Sequence, residues 1–394
     1  PNRDIKKVHM IFMNHLDIGY TSTINDVLNE YIHAYFTQVE TLGKSFENST
    51  TNTFKYITHP WLMSLLFECP CRESKLGCLA RSLNNTRASP LQCPNTTEIE
   101  SFKEAINRDY MYYHGYAFNS QLENMGPTLL RSGLKMAKAY DKEFNRTTRT
   151  VSIRDVIYVS RSVIPYLNEY GIQGLTIGSN GANYPPQVPK LHQWKGPDNS
   201  SVIVMYHPFG YGGYSKSTCD GPGQCGDCAE SPNGIALCTE FRTDNTGPPQ
   251  SEDEVIQSLN SVRNEYPDAE VVASTFDSFL QDIEPVRDQL PVLSGEVGDT
   301  WIYGVPSDPL KIAQNRELQR VLEECLENED SDTRGEESCK WEESNAIRNF
   351  TRFLAKAPEH TYGTPGISGW GSGNDYNRTS FYKNLTHDNY FAAA

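Results

Sequence analysis

At 394 residues the chain is long enough for one large α/β domain or two ordinary ones. Its formal net charge of −15 excludes nucleic acid and anionic membrane surfaces as partners, because phosphate recognition needs clustered positive charge. No apolar run reaches the roughly 18 residues of a spanning helix, so no membrane span is expected.

The first predicted strand is Lys7-Val8-His9-Met10-Ile11-Phe12-Met13, a short apolar run ending at Asn14-His15-Leu16-Asp17. Ile24, Val27, Leu28, Tyr31, Ile32, Tyr35, Phe36 and Val39 then recur at three-and-four spacing, which predicts a helix. Residues 54–58 read as a strand, 60–67 as a helix, and 69–96 as a Cys/Asn-rich insertion. Strand and helix signals keep alternating: 110–118, 129–140, 151–153, 160–170, 174–177 and 202–206. Residues 207–250 form a Gly/Pro- and Cys-rich stretch far longer than an ordinary connection, hence a second insertion. A helix at 252–265, a strand at 270–274, a helix at 276–286 and a strand at 292–293 follow. Two long helices, 309–326 and 341–357, flank an acidic, Ser-rich run at 327–338.

This alternation predicts one parallel sheet with covering helices. The absence of any G-x-G-x-x-G after a strand, and polar clusters at several strand ends, favour a barrel, where chemistry gathers at the C-terminal ends of the strands. The expected division is a β/α barrel domain at 1–305, carrying both insertions, and a helical segment at 306–394 with a site-contributing loop. A chain opening on Pro1, without Met or signal peptide, and closing Ala392-Ala393-Ala394 reads as processed or partial.

Compartment follows from two independent signals. Eight sequons occur, at Asn48, Asn84, Asn95, Asn145, Asn199, Asn349, Asn377 and Asn384, beside ten cysteines. The cysteines form three even local groups: Cys69, Cys71, Cys78 and Cys93; Cys219, Cys225, Cys228 and Cys238; Cys325 and Cys339. Each group can close on itself, and spacing alone does not choose the pairing. Zinc at Cys225-Gly-Asp-Cys228 is the rival reading, but thiolates survive poorly where sequons are glycosylated. The expectation is a secreted, disulfide-bonded glycoprotein.

His15-Leu16-Asp17 is the sharpest chemical feature. Two ligand types one residue apart at a strand end project to the same side and can share one cation. The bland alternative is a hydrogen-bonded Asn14–His15–Asp17 turn.

Together with other segments in the same order, Asn14-His15-Leu16-Asp17-Ile18-Gly19-Tyr20-Thr21 is similar to the opening zinc motif of glycoside hydrolase family 38, the class II α-mannosidases. Gly115 to Gln121, Ile153-Arg154-Asp155, Ala273 to Phe279 and Leu293 to Glu296 resemble later motifs of that family. An uncharacterised branch of the superfamily is more similar still. It shares the motifs at His15 to Thr21, Arg154 to Val156, Asn180 to Pro186, Ala273 to Asp277, Gly295 to Gly304 and Glu359 to Gly363.

The resemblance implies a (β/α)7-type barrel followed by helices, and a zinc-dependent retaining glycosidase acting on carbohydrate. It implies zinc on His15, Asp17 and a later histidine, for which His360 is the candidate. The family's nucleophilic Asp falls on Ser120, whose hydroxyl cannot attack an anomeric carbon without an activating base. Three readings stay open: Glu123 or Asp109 replaces the carboxylate, water attacks and the enzyme inverts, or hydrolysis is lost.

Glu296 and Asp299 are acid/base candidates, sharing a Gly-flanked loop with Trp301, whose face suits stacking on a sugar. Asp155 is a further catalytic candidate, against a salt bridge to Arg154 or Arg161. Asp277 is another, against a helix-capping role. Ser120 and His114 complete the substrate-side candidates, His114 against a half-buried strand histidine. His207 and the aromatics Tyr206, Phe209, Tyr211 and Tyr214 either line the cleft or pack their loop. The competing class is a catalytically inactive pseudo-glycosidase serving as an extracellular scaffold or carbohydrate-binding glycoprotein. Parts beyond the C-terminal helices would then leave room for a protein partner or self-assembly.

Overall fold

A computed structural model describes residues 4–22, 24–70, 90–157, 159–180, 186–208, 228–297, 309–327, 338–361 and 379. Strand β1 (Lys7–Asn14) leads into α1 (Ile24–Glu30), which passes through a π-helical turn at Tyr31–Tyr35 into α2 (Phe36–Phe46). Then come β2 (Tyr56–Thr58), α3 (Pro60–Phe67), α4 (Thr96–Asn107), β3 (Met111–Tyr113) and α5 (Pro127–Glu143). The middle of the chain holds β4 (Thr150–Asp155), α6 (Ile164–Glu169), β5 (Gly174–Ser179), β6 (Leu191–Lys195) and β7 (Ser201–His207). It continues through β8 (Ala229–Glu230), β9 (Ile235–Arg242), α7 (Glu252–Glu265), β10 (Glu270–Ala273), α8 (Phe276–Ile283) and β11 (Val292–Leu293). Helices α9 (Pro309–Glu327) and α10 (Asn345–Lys356) close it.

The single parallel sheet expected from the alternation is replaced by two mostly parallel ones. One runs β3-β2-β1-β9-β8 with β10 also on β1; the other runs β11-β6-β7-β5-β4. The exceptions to parallel pairing are β6 on β7 and β8 on β9. The two sheets meet where Gly115 N–H donates to Thr150 O, from just past β3 to β4 (2.7 Å). The described strands form no closed hydrogen-bonded ring.

β9 overturns part of the expected 207–250 insertion. It pairs with β1 along its whole length, Lys7↔Ile235 to Asn14↔Arg242, and so is a central strand. Its Cys238, Thr239 and Glu240 broke the apolar run that would have marked it, although all three are buried. The helix α4 was hidden beside the first insertion, and Asn95 starts it with a capping box that Glu98 reciprocates.

Burial separates two apolar layers. Outward-facing residues such as Val8, Met10 and Phe12 of β1 pack with α1–α5 and with Leu322 and Leu354 of the last two helices. Inward-facing Ile11, Met13, Ile57, Ile203, Met205, Leu237 and Phe241 surround Phe276, Phe279, Leu280 and Ile283 of α8. So α8 fills the space between the sheets instead of covering one from outside. Its strong amphipathic stripe is buried, and Thr275 caps it by accepting from Ser278 N–H.

The strand period of two now fixes what reaches the interior. His9, Ile11, Met13 and His15 share one face of the β1 path. His9, near the start of the strand, bonds Ser274 Oγ (2.7 Å) and Asp282 Oδ2 (2.9 Å). His15 emerges at the other end, on the order of 20 Å away at the strand rise per residue.

Three disulfides bridge described residues: Cys69–Cys93, Cys228–Cys238 and Cys325–Cys339. Each lies within one of the local groups, and the bond to Cys238 removes Cys228 as a thiolate for zinc. Cys71, Cys78, Cys219 and Cys225 lie outside the described residues. No helix among the described residues is long and apolar enough to cross a membrane.

Candidate metal centre

The loop after β1 is held in place before any ligand acts. Asn14 Nδ2 donates to Arg242 O (3.0 Å) and Thr243 O (2.9 Å), while Tyr31 donates its hydroxyl to Asn14 Oδ1. Asn245 N–H donates to His15 O (2.9 Å), and Asn245 Oδ1 accepts from Asp17 N–H (3.0 Å). Asn245 Nδ2 reaches Gly19 O (3.0 Å), and Tyr35 bonds Asn245 O (2.8 Å). Asn245 sits at φ 56°, a left-handed conformation Asn tolerates better than most residues. The π-helical turn thus brings two tyrosines onto the two asparagines that grip the His15–Asp17 loop, a place where such turns recur.

The second half of the site comes from far along the chain. Gln121 N–H donates to Pro358 O (2.8 Å), and Ser120 forms a β-bridge with Glu359. That bridge brings His360 beside His15, Nε2 to Nε2 at 3.0 Å. His360 Nε2 is 2.8 Å from Asp17 Oδ1 and 3.4 Å from Asp155 Oδ2. His15 Nε2 is 3.2 Å from Asp17 Oδ1 and 4.0 Å from Asp155 Oδ2. These four residues are buried, and one ligand atom from each lies within 4.8 Å of all the others.

Asp155 enters from the end of β4 at φ 73°, and Asn180 Nδ2 donates to its Oδ1 (2.5 Å). It pairs with neither Arg154 nor Arg161: the Arg161 side chain donates to Lys195 O (2.6 Å) and Gly196 O (3.2 Å). On the far side of His360, Glu359 Oε1 lies 2.7 Å from Nδ1.

Charge explains why the cluster holds together. Burial alone would raise the Asp17 carboxyl, but His15 and His360 hold it below its usual range. Asp155 follows the same logic, burial opposed by His360 and His15 and losing. Burial would lower His360, but Glu359, Asp155 and Asp17 keep its imidazolium well above the usual histidine range.

The donor set fits a divalent cation. Ligands about 2.0–2.2 Å from a tetrahedral zinc stand roughly 3.3–3.6 Å apart, close to the observed separations of 2.8–4.0 Å. Asp17 Oδ2 is buried with no hydrogen-bond partner, a carboxylate oxygen still owed a cation or donor. Two imidazole Nε2 atoms facing each other also need a proton or a metal between them.

The remaining predicted residues divide sharply. Ser120 is fully buried, and its hydroxyl donates to Phe118 O (3.3 Å). Neither proposed stand-in for its carboxylate comes near: Asp109 pairs with Arg146 (2.8 Å), and Glu123 lines a cavity of about 610 Å³ with α9. His114 stays out of the cluster, stacking edge-on against His59 with Nε2 to Nδ1 at 2.8 Å. Burial pushes His114 down to about 3, and His59 well below its usual range.

Asp277 lies at the opposite end of the interior from Asp155. Its Oδ1 accepts from Arg149 N–H (3.0 Å), just before β4, and burial raises its carboxyl to about 6. The helix cap is Thr275, not Asp277. Glu296 is exposed, and its Oε2 accepts from Arg161 N–H (2.9 Å). Asp299 and Trp301 lie outside the described residues, as do Phe209, Tyr211 and Tyr214. Four sequon asparagines, Asn48, Asn95, Asn145 and Asn199, are exposed, and Asn349 is half-buried. Asn84, Asn377 and Asn384 lie outside the described residues.

Arg154, beside Asp155, points inward. Its guanidinium lies 3.9 Å above the Phe241 ring, and Nη2 donates to Thr176 Oγ1 (2.7 Å). Burial pulls it down to about 9, still charged at neutral pH. His59, Arg154 and Asn245 were not among the sequence-predicted site residues. The left-handed turn signal Asp244-Asn245-Thr246-Gly247 was the trace available for Asn245.

No protein-family model and no curated protein matches the sequence. Among solved structures, the chain superposes on an α-mannosidase from Enterococcus faecalis V583 with TM-score 0.58 and 11% identity, over 98% of this chain and 42% of that one. It also matches a family 38 glycosyl hydrolase protein from Enterococcus faecalis (TM-score 0.45, 10% identity, 91% of this chain and 39% of that one). A further match is the α-amylase AmyC from Thermotoga maritima (TM-score 0.48, 10% identity, 98% and 92%). The chain therefore shares its fold with that α-mannosidase, the fold its ordered motifs predict, and spans less than half of its length.

Proposed function

We propose that this chain is the core of a secreted, zinc-dependent glycosidase-type glycoprotein that acts on glycans, with α-mannosides as the first candidates. The observation that carries this reading is the convergence of His15, Asp17, Asp155 and His360 at strand ends of a fold shared with an α-mannosidase. In this reading residues 1–305 make a (β/α)7-type barrel domain, and 306–394 a helical segment whose loop supplies His360.

His15, Asp17, Asp155 and His360 would hold the zinc, which supplies Lewis-acid grip on sugar hydroxyls. Glu359 Oε1, 2.7 Å from His360 Nδ1, is the carboxylate that would favour the proton on Nδ1 and leave Nε2 for the cation. Asp155 takes over from the carboxylate missing at Ser120. Asn180 donates to its Oδ1, and its Oδ2 is the oxygen that faces His15 and His360 and would bind the cation. Glu296 and Asp299 stay the acid/base candidates.

A second reading has a specific observation behind it. Four protein ligands, each at most 8% exposed, resemble a closed structural metal site more than an open catalytic one. In that case the protein is a pseudo-glycosidase that binds carbohydrate or serves as an extracellular scaffold. A panel of aryl α-glycosides, assayed with and without chelator on protein of known zinc content, separates the two. Chelator-sensitive turnover supports the enzyme, and bound zinc without turnover supports the second reading.

A further inference from the structure

Among the described residues the interior holds two fully buried arginines, Arg154 and Arg352, and they differ in one respect. Arg352 is saturated: its guanidinium bonds Glu68 Oε2 (2.7 Å), Ser64 Oγ (2.8 Å) and Asn349, so its charge is balanced. Arg154 is equally buried, at 2% exposure, yet makes no ion pair among the described residues. Its Nε and Nη1 have no hydrogen-bond partner, and its contacts are the Thr176 hydroxyl and the Phe241 ring. A guanidinium stays charged in a protein interior, and a buried charge without a counter-ion is among the most costly arrangements a fold can keep.

Position supplies the reason. Arg154 is the residue before Asp155, and Asn119 fixes its backbone from both sides: Nδ2 donates to Arg154 O (2.5 Å) and Oδ1 accepts from Arg154 N–H (2.7 Å). Asn119 belongs to the same segment as Ser120, which carries Glu359 and His360. The unpaired cation is thus built into the backbone frame of the metal cluster. In a chain of net charge −15, it is a buried positive charge one residue from the ligand Asp155.

We infer that Arg154 recognises an acidic group on the glycan, a carboxylate or sulfate ester, so that the preferred substrate class is acidic sugars. This rests on the glycan-acting reading above. The acidic group supplies the missing acceptors for Nε and Nη1 and cancels the buried charge, a charge-assisted contact a neutral hydroxyl cannot equal.

The test is calorimetric titration of zinc-analysed protein with methyl α-mannoside, its uronic acid counterpart and its 6-sulfate. The wild type should bind an acidic member roughly tenfold or more tighter than the neutral parent. Arg154→Met should lose that preference at unchanged zinc content, and Arg154→Lys should retain part of it. Neutral and acidic sugars bound equally by the wild type would overturn the inference while leaving the glycan reading intact, and this arm needs no variant to fold. A preference that survives in Arg154→Met would overturn the assignment to Arg154. Zinc-bearing protein that binds none of the three sugars would overturn the glycan reading itself, and this inference with it.

Discussion

Replacing Glu359 by Gln isolates the contact that orients His360. Glu359 Oε1 faces His360 Nδ1 at 2.7 Å, while Oε2 accepts from Thr361 N–H (3.1 Å) and from the Thr361 hydroxyl. A carboxylate can accept on both sides at once. An amide cannot: its NH2 must face either the Nδ1 proton or the Thr361 N–H, and each orientation sets donor against donor. Loss of such a partner typically weakens metal binding about 10–100-fold, or about 1.4–2.7 kcal/mol. Because Glu359 also helps keep the proton on metal-free His360, zinc affinity should fall as pH falls, and less steeply in the Gln variant. Zinc titration against a competing chromophoric chelator from pH 6 to 8, where each displaced proton changes the affinity roughly tenfold per pH unit, reads both effects. Equal affinity for wild type and Glu359→Gln, with both folded by circular dichroism, would refute the reasoning.

Three further outcomes follow from buried groups. His9 is pulled down to about 4 by burial, so the unfolded chain takes up its proton first as pH falls. Its contribution is complete above about pH 6.5 and is lost as pH falls toward 4, on the order of 3 kcal/mol. Urea unfolding at pH 7.5 and 4.5 should show this, and an unchanged midpoint would contradict it. Asp277 has the opposite sign: raised to about 6, it stabilises most at acid pH and loses that contribution as pH rises through 6. Asp277→Asn keeps the acceptor for Arg149 and should gain up to about 3 kcal/mol above pH 7; a loss there would count against the buried-acid reading. Phe279, fully buried between the sheets, should cost about 3–5 kcal/mol as Ala, and a cost under about 1 would mean that α8 does not fill that space.

Much of this architecture was legible in residue patterns. The apolar run of β1, the stripe of α1 and α2, the strands β5, β7 and β10 and the helix α7 all stand near their predicted bounds. What escaped was context. β9 is a central strand whose Thr239 and Glu240 look solvent-facing in isolation, so a central element vanished into a loop. α8 reads as an ordinary amphipathic helix, because no local pattern distinguishes burial between sheets from burial against one.

The site was half legible for a similar reason. His15 and Asp17 are local to each other, and His360 came from an ordered set of motifs. The role of Asp155 depends on a left-handed residue at the end of β4 and on pairing between segments 239 residues apart, Ser120 with Glu359. Such pairing exists only once the chain has folded.

The most direct test is metal content. Purified wild-type protein, analysed by inductively coupled plasma mass spectrometry, should carry one zinc per chain, and the single variants His15→Ala and His360→Ala should carry none while keeping the wild-type circular dichroism spectrum. Folded wild-type protein that holds no zinc after incubation with it, or variants that hold as much as the wild type, would contradict the account.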